Sequence, residues 1–569
     1  MSKARIRAGM ACRLLVLAIL LCGFGSPHSL AQPQNVRGDL LPVVPLAAGE
    51  AEDLAAQQAH PNPRMQFRVL GSRFRQREAM WAPLNDELDA FGEARYQALK
   101  PQILNQDIPA LQLAVSQGQF SYTDLVLFYL YRIRHYESQP DRYLNALIAL
   151  NPDVLNDARE RDRQRSAAPD PVNPHSVFGM PILLKDNIGT DGMDTTAGAL
   201  ALANNAAPDA FITARLREQG AIILGKANLS EWAYFFCNGC PLGYSAMGGQ
   251  TLNPYGRKRL ETGGSSSGSA VAVAANYAVA AVGSETSGSI LSPASANALV
   301  GLKPTTGMLS RSGIVPISST LDTPGPIARS VTDAVILFNA MTGYDQADTA
   351  MPLLSTAALL RLEQARLAGV RLGYFSRFMD TPRYAEAVER LRQQGALLFE
   401  IQQPDVQMQN FSDLLGGEMK RDLALYLAAQ ADSSVPVDSV DDVRNFNGAD
   451  MDLRAPYGQA LFDAVSASSL TDGQLVELHG ALRDVARQVL QAPLAQLDLQ
   501  ALLSMNNSHA GFAAASNFPA ITIPIGLNDE QAPIALTLIG SSFSEQMLTA
   551  LAAAVEAVMP PRPLPGDYQ

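Results

Sequence analysis

The chain has 569 residues, with 43 Lys and Arg against 55 Asp and Glu and a formal charge of −12. Its residues are 47% hydrophobic and 17% charged, which excludes a disordered chain, since disorder requires low hydrophobicity and high charge. The acidic balance excludes the basic footprint of a nucleic-acid binder, and length alone, at roughly 150 residues per domain, allows three or four domains.

The N-terminus reads as an export signal. Lys3, Arg5, Arg7 and Arg13 form a basic start with no acidic residue, and Leu14 to Leu21 is a short apolar run. Ser29-Leu30-Ala31 places small residues at −3 and −1 of a cut before Gln32, the pattern of a secretory signal. The run is shorter than the roughly 20 residues of a membrane span, so no stable span is expected once it is removed; a retained N-terminal anchor is the alternative. Cys22 follows Ile19-Leu20-Leu21, which lacks the small residue a lipidation site needs. Loss of residues 1–31 removes four positive charges and no negative one, so −12 becomes −16. The mature protein is expected to be periplasmic or secreted.

Residues 33–63, rich in Pro, Ala and Gln, read as a loose arm, and the whole extension is placed at 32–100. Leu111 to Arg134 has helical spacing, with Ser121-Tyr122-Thr123-Asp124 as a capping region. Pro181–Leu184 and Ala221–Leu224 are short buried strands. The Ala/Val-rich stretch 270–282 holds a packed helix and a strand. Residues 405–505 are more polar and helical, placed to cap a site. Ala520–Ile525 and Ile534–Ile539 are strands, followed by a helix from Ser544. Helices alternating with short buried strands predict an α/β fold.

Beyond the leader the cysteines are Cys237 and Cys240, in Cys237-Asn238-Gly239-Cys240. In an oxidising compartment such a pair closes as a disulfide; free thiols and a redox pair are the alternatives. A zinc site would need two further ligands, and His60, His135, His175, His479 and His509 show no ligand spacing beside it. No metal and no cofactor are expected. Gly220 to Lys226 fits the start of a phosphate-binding loop, but Ala227 stands where Ser or Thr should hold magnesium, and its interior Ala-Ile-Ile-Leu is strand material.

Three pieces carry chemistry. Lys185 ends the apolar run Pro181–Leu184, where desolvation lowers an amine's pKa and yields a neutral base. The second piece is Gly263-Gly264-Ser265-Ser266-Ser267-Gly268-Ser269. The third is Gly283-Ser284-Glu285-Thr286-Ser287-Gly288-Ser289, where small residues let successive backbone N–H groups converge on an oxyanion. Gly264 to Gly268 also fits a nucleophile elbow, which would make Ser266 the nucleophile and require His479 or His509.

Together these runs resemble the amidase signature family. So do Gly225-Lys226-Ala227-Asn228-Leu229-Ser230, Gly301-Leu302-Lys303-Pro304-Thr305, Asp322-Thr323-Pro324-Gly325-Pro326 and Phe518-Pro519-Ala520-Ile521-Thr522. The match spans roughly 105–345 and 508–558, and the Gly-Ser-Glu-Thr run looks most like the peptide-amidase-type branch. The resemblance implies one large α/β domain over 101–560, with a mixed sheet wrapped by helices. It implies a Ser-cisSer-Lys triad of Ser289 as nucleophile, Ser265 as bridging serine after a cis peptide bond, and Lys185 as base. The oxyanion would rest on the N–H groups of Thr286, Ser287, Gly288 and Ser289, with Ser266 and Thr196 in support. The elbow reading is thereby displaced.

Many family members carry Arg two residues after the nucleophile. Here that position is Leu291, so Leu291 is expected at the substrate, and the acyl side is expected to be neutral or apolar. The partner is then a small-molecule or peptide amide, with monomer and homodimer both open. The alternatives are an amidotransferase A-subunit-like protein and a non-catalytic binding protein on the same fold.

Overall fold

A computed structural model describes residues 44–45, 47, 49–167, 173–351 and 359–569. The expected signal at 1–31 lies outside the described residues. The strands, in chain order, are β1 (Leu147–Leu150), β2 (Pro181–Lys185), β3 (Ile222–Ala227), β4 (Tyr244–Ser245), β5 (Gly249–Gln250), β6 (Ala280–Glu285), β7 (Val300–Lys303), β8 (Thr323–Ala328), β9 (Arg371–Phe375), β10 (Leu397–Ile401), β11 (Ala501–Met505), β12 (Ala520–Leu527) and β13 (Pro533–Ile539). Eleven form one sheet in the order β1-β3-β2-β6-β8-β7-β12-β13-β11-β9-β10, while β4 and β5 pair as a small ribbon.

The sheet is mixed. β3, β2 and β6 run parallel, as do β11, β9 and β10, and antiparallel pairs join the two groups. Buried parallel strands need apolar residues on both faces, and β2, β3, β6 and β8 are buried at every position. This is why Pro181-Ile182-Leu183-Leu184 and Ile222-Ile223-Leu224 have no polar alternation. Helices cover the sheet. The Ser267–Ala274 helix is wholly buried, and its Ala/Val composition lets it approach closely: a Cβ on Gly268 would lie 2.4 Å from the Ala146 carbonyl oxygen.

The helical stretch read over Leu111–Arg134 is two helices, Ile108–Ser116 and Tyr122–Glu137. Ser121 caps the second: its Oγ accepts from Asp124 N at 3.0 Å, and Ser121 N donates to Asp124 Oδ2 at 3.1 Å. Within the extension, the described residues pack on the body. Glu50 accepts from the backbone N–H groups of Leu70 and Gly71, and Met65, Phe67, Leu70 and Trp81 join the main core. The Pro/Ala/Gln composition of 33–63 hid this because its anchors are single residues without a period.

Residues 405–505 are mainly helical up to β11, the longest helices being Phe411–Ala429 and Asp472–Val489. They build a second apolar cluster in which Leu414, Leu423 and Phe462 meet Trp232 and Phe236. Among the described residues, no helix is long and apolar enough to cross a membrane.

Candidate active site

Parallel strands bring functional loops together at their carboxyl ends. Ile182 pairs with Ala280 and Leu184 with Val282, so Lys185 at the end of β2 comes beside Ser284 near the end of β6. Lys185 is fully buried. Its Nζ lies 2.7 Å from Ser265 Oγ, 3.0 Å from Ser284 Oγ and 3.1 Å from the Ser284 carbonyl oxygen. Burial pushes the ammonium pKa down to about 7, against the opposing pull of Asp322 and Glu285.

Ser265 follows a cis peptide bond from Gly264 and is fully buried. The next backbone N–H, of Ser266, donates to the Ser289 carbonyl at 3.1 Å, tying the two serine-rich loops together. The loop after β6 is braced on three sides. Glu285 Oε2 accepts from Ile290 N at 2.7 Å and Leu291 N at 3.0 Å. Thr286 Oγ1 donates to Asp322 Oδ1 at 2.5 Å, and Ser292 N donates to the Gly288 carbonyl at 2.7 Å. Gly288 holds φ at +86°, a left-handed conformation that costs a side chain. Among the described residues, no acceptor engages the backbone N–H groups of Thr286, Ser287, Gly288 or Ser289. Four donors without acceptors beside a serine are suited to an oxyanion.

A cavity of about 590 Å³ opens in front of this loop, lined by Thr286, Ser287, Ser289, Gly263 and Gly264. Its far wall is the segment around Tyr234, Cys237 and Gly239, and Phe411, Leu415 and Leu461 from the helical region close over it. From the region 405–505, these three apolar side chains reach the cavity. Cys237 and Cys240 are joined as a disulfide, with Cα atoms 5.9 Å apart.

The elbow reading requires a histidine beside Ser266. Ser266 Oγ bonds the backbone of Ser284, donating to its carbonyl at 3.2 Å and accepting from its N–H at 3.3 Å. Neither histidine is among its partners. His509 is held by Ser504 Oγ at 2.6 Å and Gln403 at 3.1 Å and stacks on Phe375, and His479 sits on the Asp472–Val489 helix. Among the described residues, the base that an elbow centred on Ser266 needs is not among its hydrogen-bond partners.

The family model described as Amidase matches residues 124–433. The chain belongs to the amidase family. It is 35% identical to a "probable amidase" of Arabidopsis thaliana, over 79% of this chain and 89% of that protein. Among solved structures it resembles an amidase family protein of Bacillus anthracis, with TM-score 0.82 and 33% identity over 88% of this chain and 99% of the other. It also resembles the peptide amidase of Stenotrophomonas maltophilia, with TM-score 0.74 and 37% identity over 81% and 99%. The α/β expectation, one large domain with a mixed sheet wrapped by helices, holds for this amidase, an enzyme that hydrolyses amides.

One sequence expectation changes, and a second takes an indirect form. Leu291 does not face the cavity: it is buried in the main core and its N–H is taken by Glu285. As the first residue of the Leu291–Ala296 helix it turns inward with the apolar face. Thr196 reaches Lys185 only indirectly. Its hydroxyl and N–H both bind Asp186 Oδ2, and Asp186 pairs with buried Lys226 at 3.6 Å. Lys226 also donates to the Ile188 carbonyl, a strand-end anchor and not a phosphate cradle.

Sequence reasoning missed Arg64 and Glu261. Arg64 donates to Glu261 Oε2 through Nη2 at 3.0 Å, its Nε lies 2.9 Å from Oε1 as an ion pair, and both residues line the cavity. No local pattern marks them, because the pair spans 197 positions.

Proposed function

We propose that this amidase is a serine hydrolase that cleaves amides with a neutral or apolar acyl side through an acyl-enzyme, and that it works after export from the cytoplasm. The observation that carries the chemistry is the buried Lys185 amine, 2.7 Å from the hydroxyl of a serine whose loop is tied to that of Ser289.

The neutral amine of Lys185 takes the Ser265 proton while Ser265 takes that of Ser289. Ser289 Oγ attacks the amide carbon, and the carbonyl oxygen becomes an oxyanion held by the N–H groups of residues 286–289. Ser265 then protonates the departing nitrogen and recovers its proton from Lys185. The C–N bond breaks and leaves the acyl group on Ser289. A water repeats the sequence in reverse and releases the acid. Ser266 supports this by holding the backbone of Ser284, and Thr196 by holding Asp186.

The neutral acyl side is supported by the cavity wall, where the Arg64 guanidinium and the Glu261 carboxylate compensate each other. The export reading rests on Lys3 to Ala31 and agrees with the Cys237–Cys240 disulfide. The test is Ser289→Ala, assayed against peptide amides, long-chain amides and aryl amides. Turnover should vanish with the thermal transition unchanged, and a fluorophosphonate probe should label wild type but not the variant. Activity retained by Ser289→Ala and lost in Ser266→Ala would sink the assignment.

A further inference from the structure

A neutral amine has two N–H groups and one lone pair, and proton transfer from Ser265 needs that lone pair aimed at Ser265 Oγ. Three oxygens surround Lys185 Nζ: Ser265 Oγ, Ser284 Oγ and the Ser284 carbonyl. A carbonyl oxygen only accepts, so it takes one N–H. When Ser284 Oγ takes the other, the lone pair remains for Ser265. We propose that Ser284 is a positioning residue that engages both N–H groups of neutral Lys185 and so turns its lone pair to the bridging serine.

Ser284 is itself fixed. Asn187 Nδ2 donates to its Oγ at 2.9 Å, and Ser266 Oγ holds its carbonyl and N–H. That gives Ser266 a place in the same chain of contacts. Ser284 does not line the substrate cavity. It faces a second cavity of about 310 Å³, with Asn187, Thr286 and Asp322. Changing it therefore alters the proton path without touching the walls that hold substrate. The carboxylates facing Lys185 are Glu285 on β6 and Asp322 before β8, and Asp186 faces Lys226 instead. All remain in the variants below.

The proposal rests on Lys185, Ser265 and Ser289 as the reacting groups. The experiment compares wild type with Ser284→Ala, Ser284→Cys and Ser284→Thr, measuring kcat and KM from pH 5 to 9 on a neutral amide. Ser284→Ala should lose about 10- to 100-fold in kcat, the size of a misplaced catalytic group, with KM within about threefold. Its acid limb should move to lower pH, because the ammonium form loses an acceptor that stabilised it. Ser284→Thr, which keeps a hydroxyl, should restore most of kcat. Ser284→Cys, a weak acceptor of similar shape, should show the same split if the alanine variant is unstable. Full kcat in both Ala and Cys variants overturns the proposal, as does a lowered rate with an unmoved acid limb and no rescue by Thr. Turnover surviving in Ser289→Ala would overturn the catalytic assignment and this proposal with it. Loss in Ser289→Ala with unchanged Ser284 variants overturns this proposal alone.

Discussion

Lys185 Nζ and Ser265 Oγ lie 2.7 Å apart with both side chains fully buried, so the amine and the hydroxyl it contacts share a pocket that water does not screen. Activity should follow the neutral fraction of Lys185. With its pKa near 7, kcat/KM should be flat above pH 8 and fall about tenfold per unit well below 7. A rate that stays level down to pH 5 would remove Lys185 as the base.

The same burial has a cost in stability. The folded-state pKa is depressed, so between 7 and the ordinary 10.5 the unfolded chain holds a proton that the folded chain has released. The penalty is full below the folded value and disappears as pH rises to the unfolded one, at about 1.4 kcal/mol per unit. Lys185→Met should therefore be inactive yet more stable than wild type at pH 7. The advantage should shrink between pH 7 and 10, as read by urea unfolding at each pH. An advantage independent of pH would contradict the assignment.

Gly288→Ala should separate oxyanion binding from folding. The residue holds φ at +86°, and an added Cβ would meet Asn507 Nδ2 at 3.1 Å. The left-handed cost is about 1–2 kcal/mol, affordable in a large domain. The loop must shift to relieve it, which should lower kcat by about 10²–10³ as donors leave the oxyanion. The thermal transition should fall only slightly.

The Arg64–Glu261 pair sets the charge of the cavity wall. Glu261→Gln leaves the guanidinium unpaired, and a charge-assisted hydrogen bond is worth about 1.5–3 kcal/mol. An amide substrate carrying a carboxylate should gain about tenfold or more in kcat/KM relative to its neutral analogue. Unchanged selectivity would show that neither residue reaches the substrate.

The disulfide braces a wall of that cavity. Closing so short a loop restricts the unfolded chain by about 2 kcal/mol, so replacing both Cys237 and Cys240 by Ser should lower stability modestly. Because Cys237 and Gly239 face the cavity, KM should rise more than kcat falls. A fall in kcat alone, with KM constant, would place the disulfide outside substrate binding.

The strands at 181–185, 222–227, 520–527 and 533–539 were legible because buried parallel and central strands are continuous apolar runs. The capping box at Ser121 and Asp124 was legible because its partners are three residues apart. The glycine- and serine-rich loops and the strand-end Lys185 stood out as candidates through their resemblance to the amidase signature family, since a strand-end Lys or a Gly/Ser turn is by itself as readily structural. The packing of residues 49–84 was not legible: Glu50 and Gln57 are held through hydrogen bonds to distant backbone. Leu291 was assigned to the substrate from its position after Ser289, but a helix start turns its side chains by the helix axis, and that axis sends Leu291 into the core.

The sequence by itself determined the alternation of helices and strands, the family and the candidate residues for its chemistry, because those depend on short-range pattern. Only the tertiary structure decided what surrounds them. The parallel pairing of β2 with β6 sets Ser284 against Lys185, 99 positions away, and chain packing brings Arg64 to Glu261 at the cavity wall. Desolvation and hydrogen bonding act through space, so the state of the Lys185 amine and the charge of the substrate wall are properties of the fold.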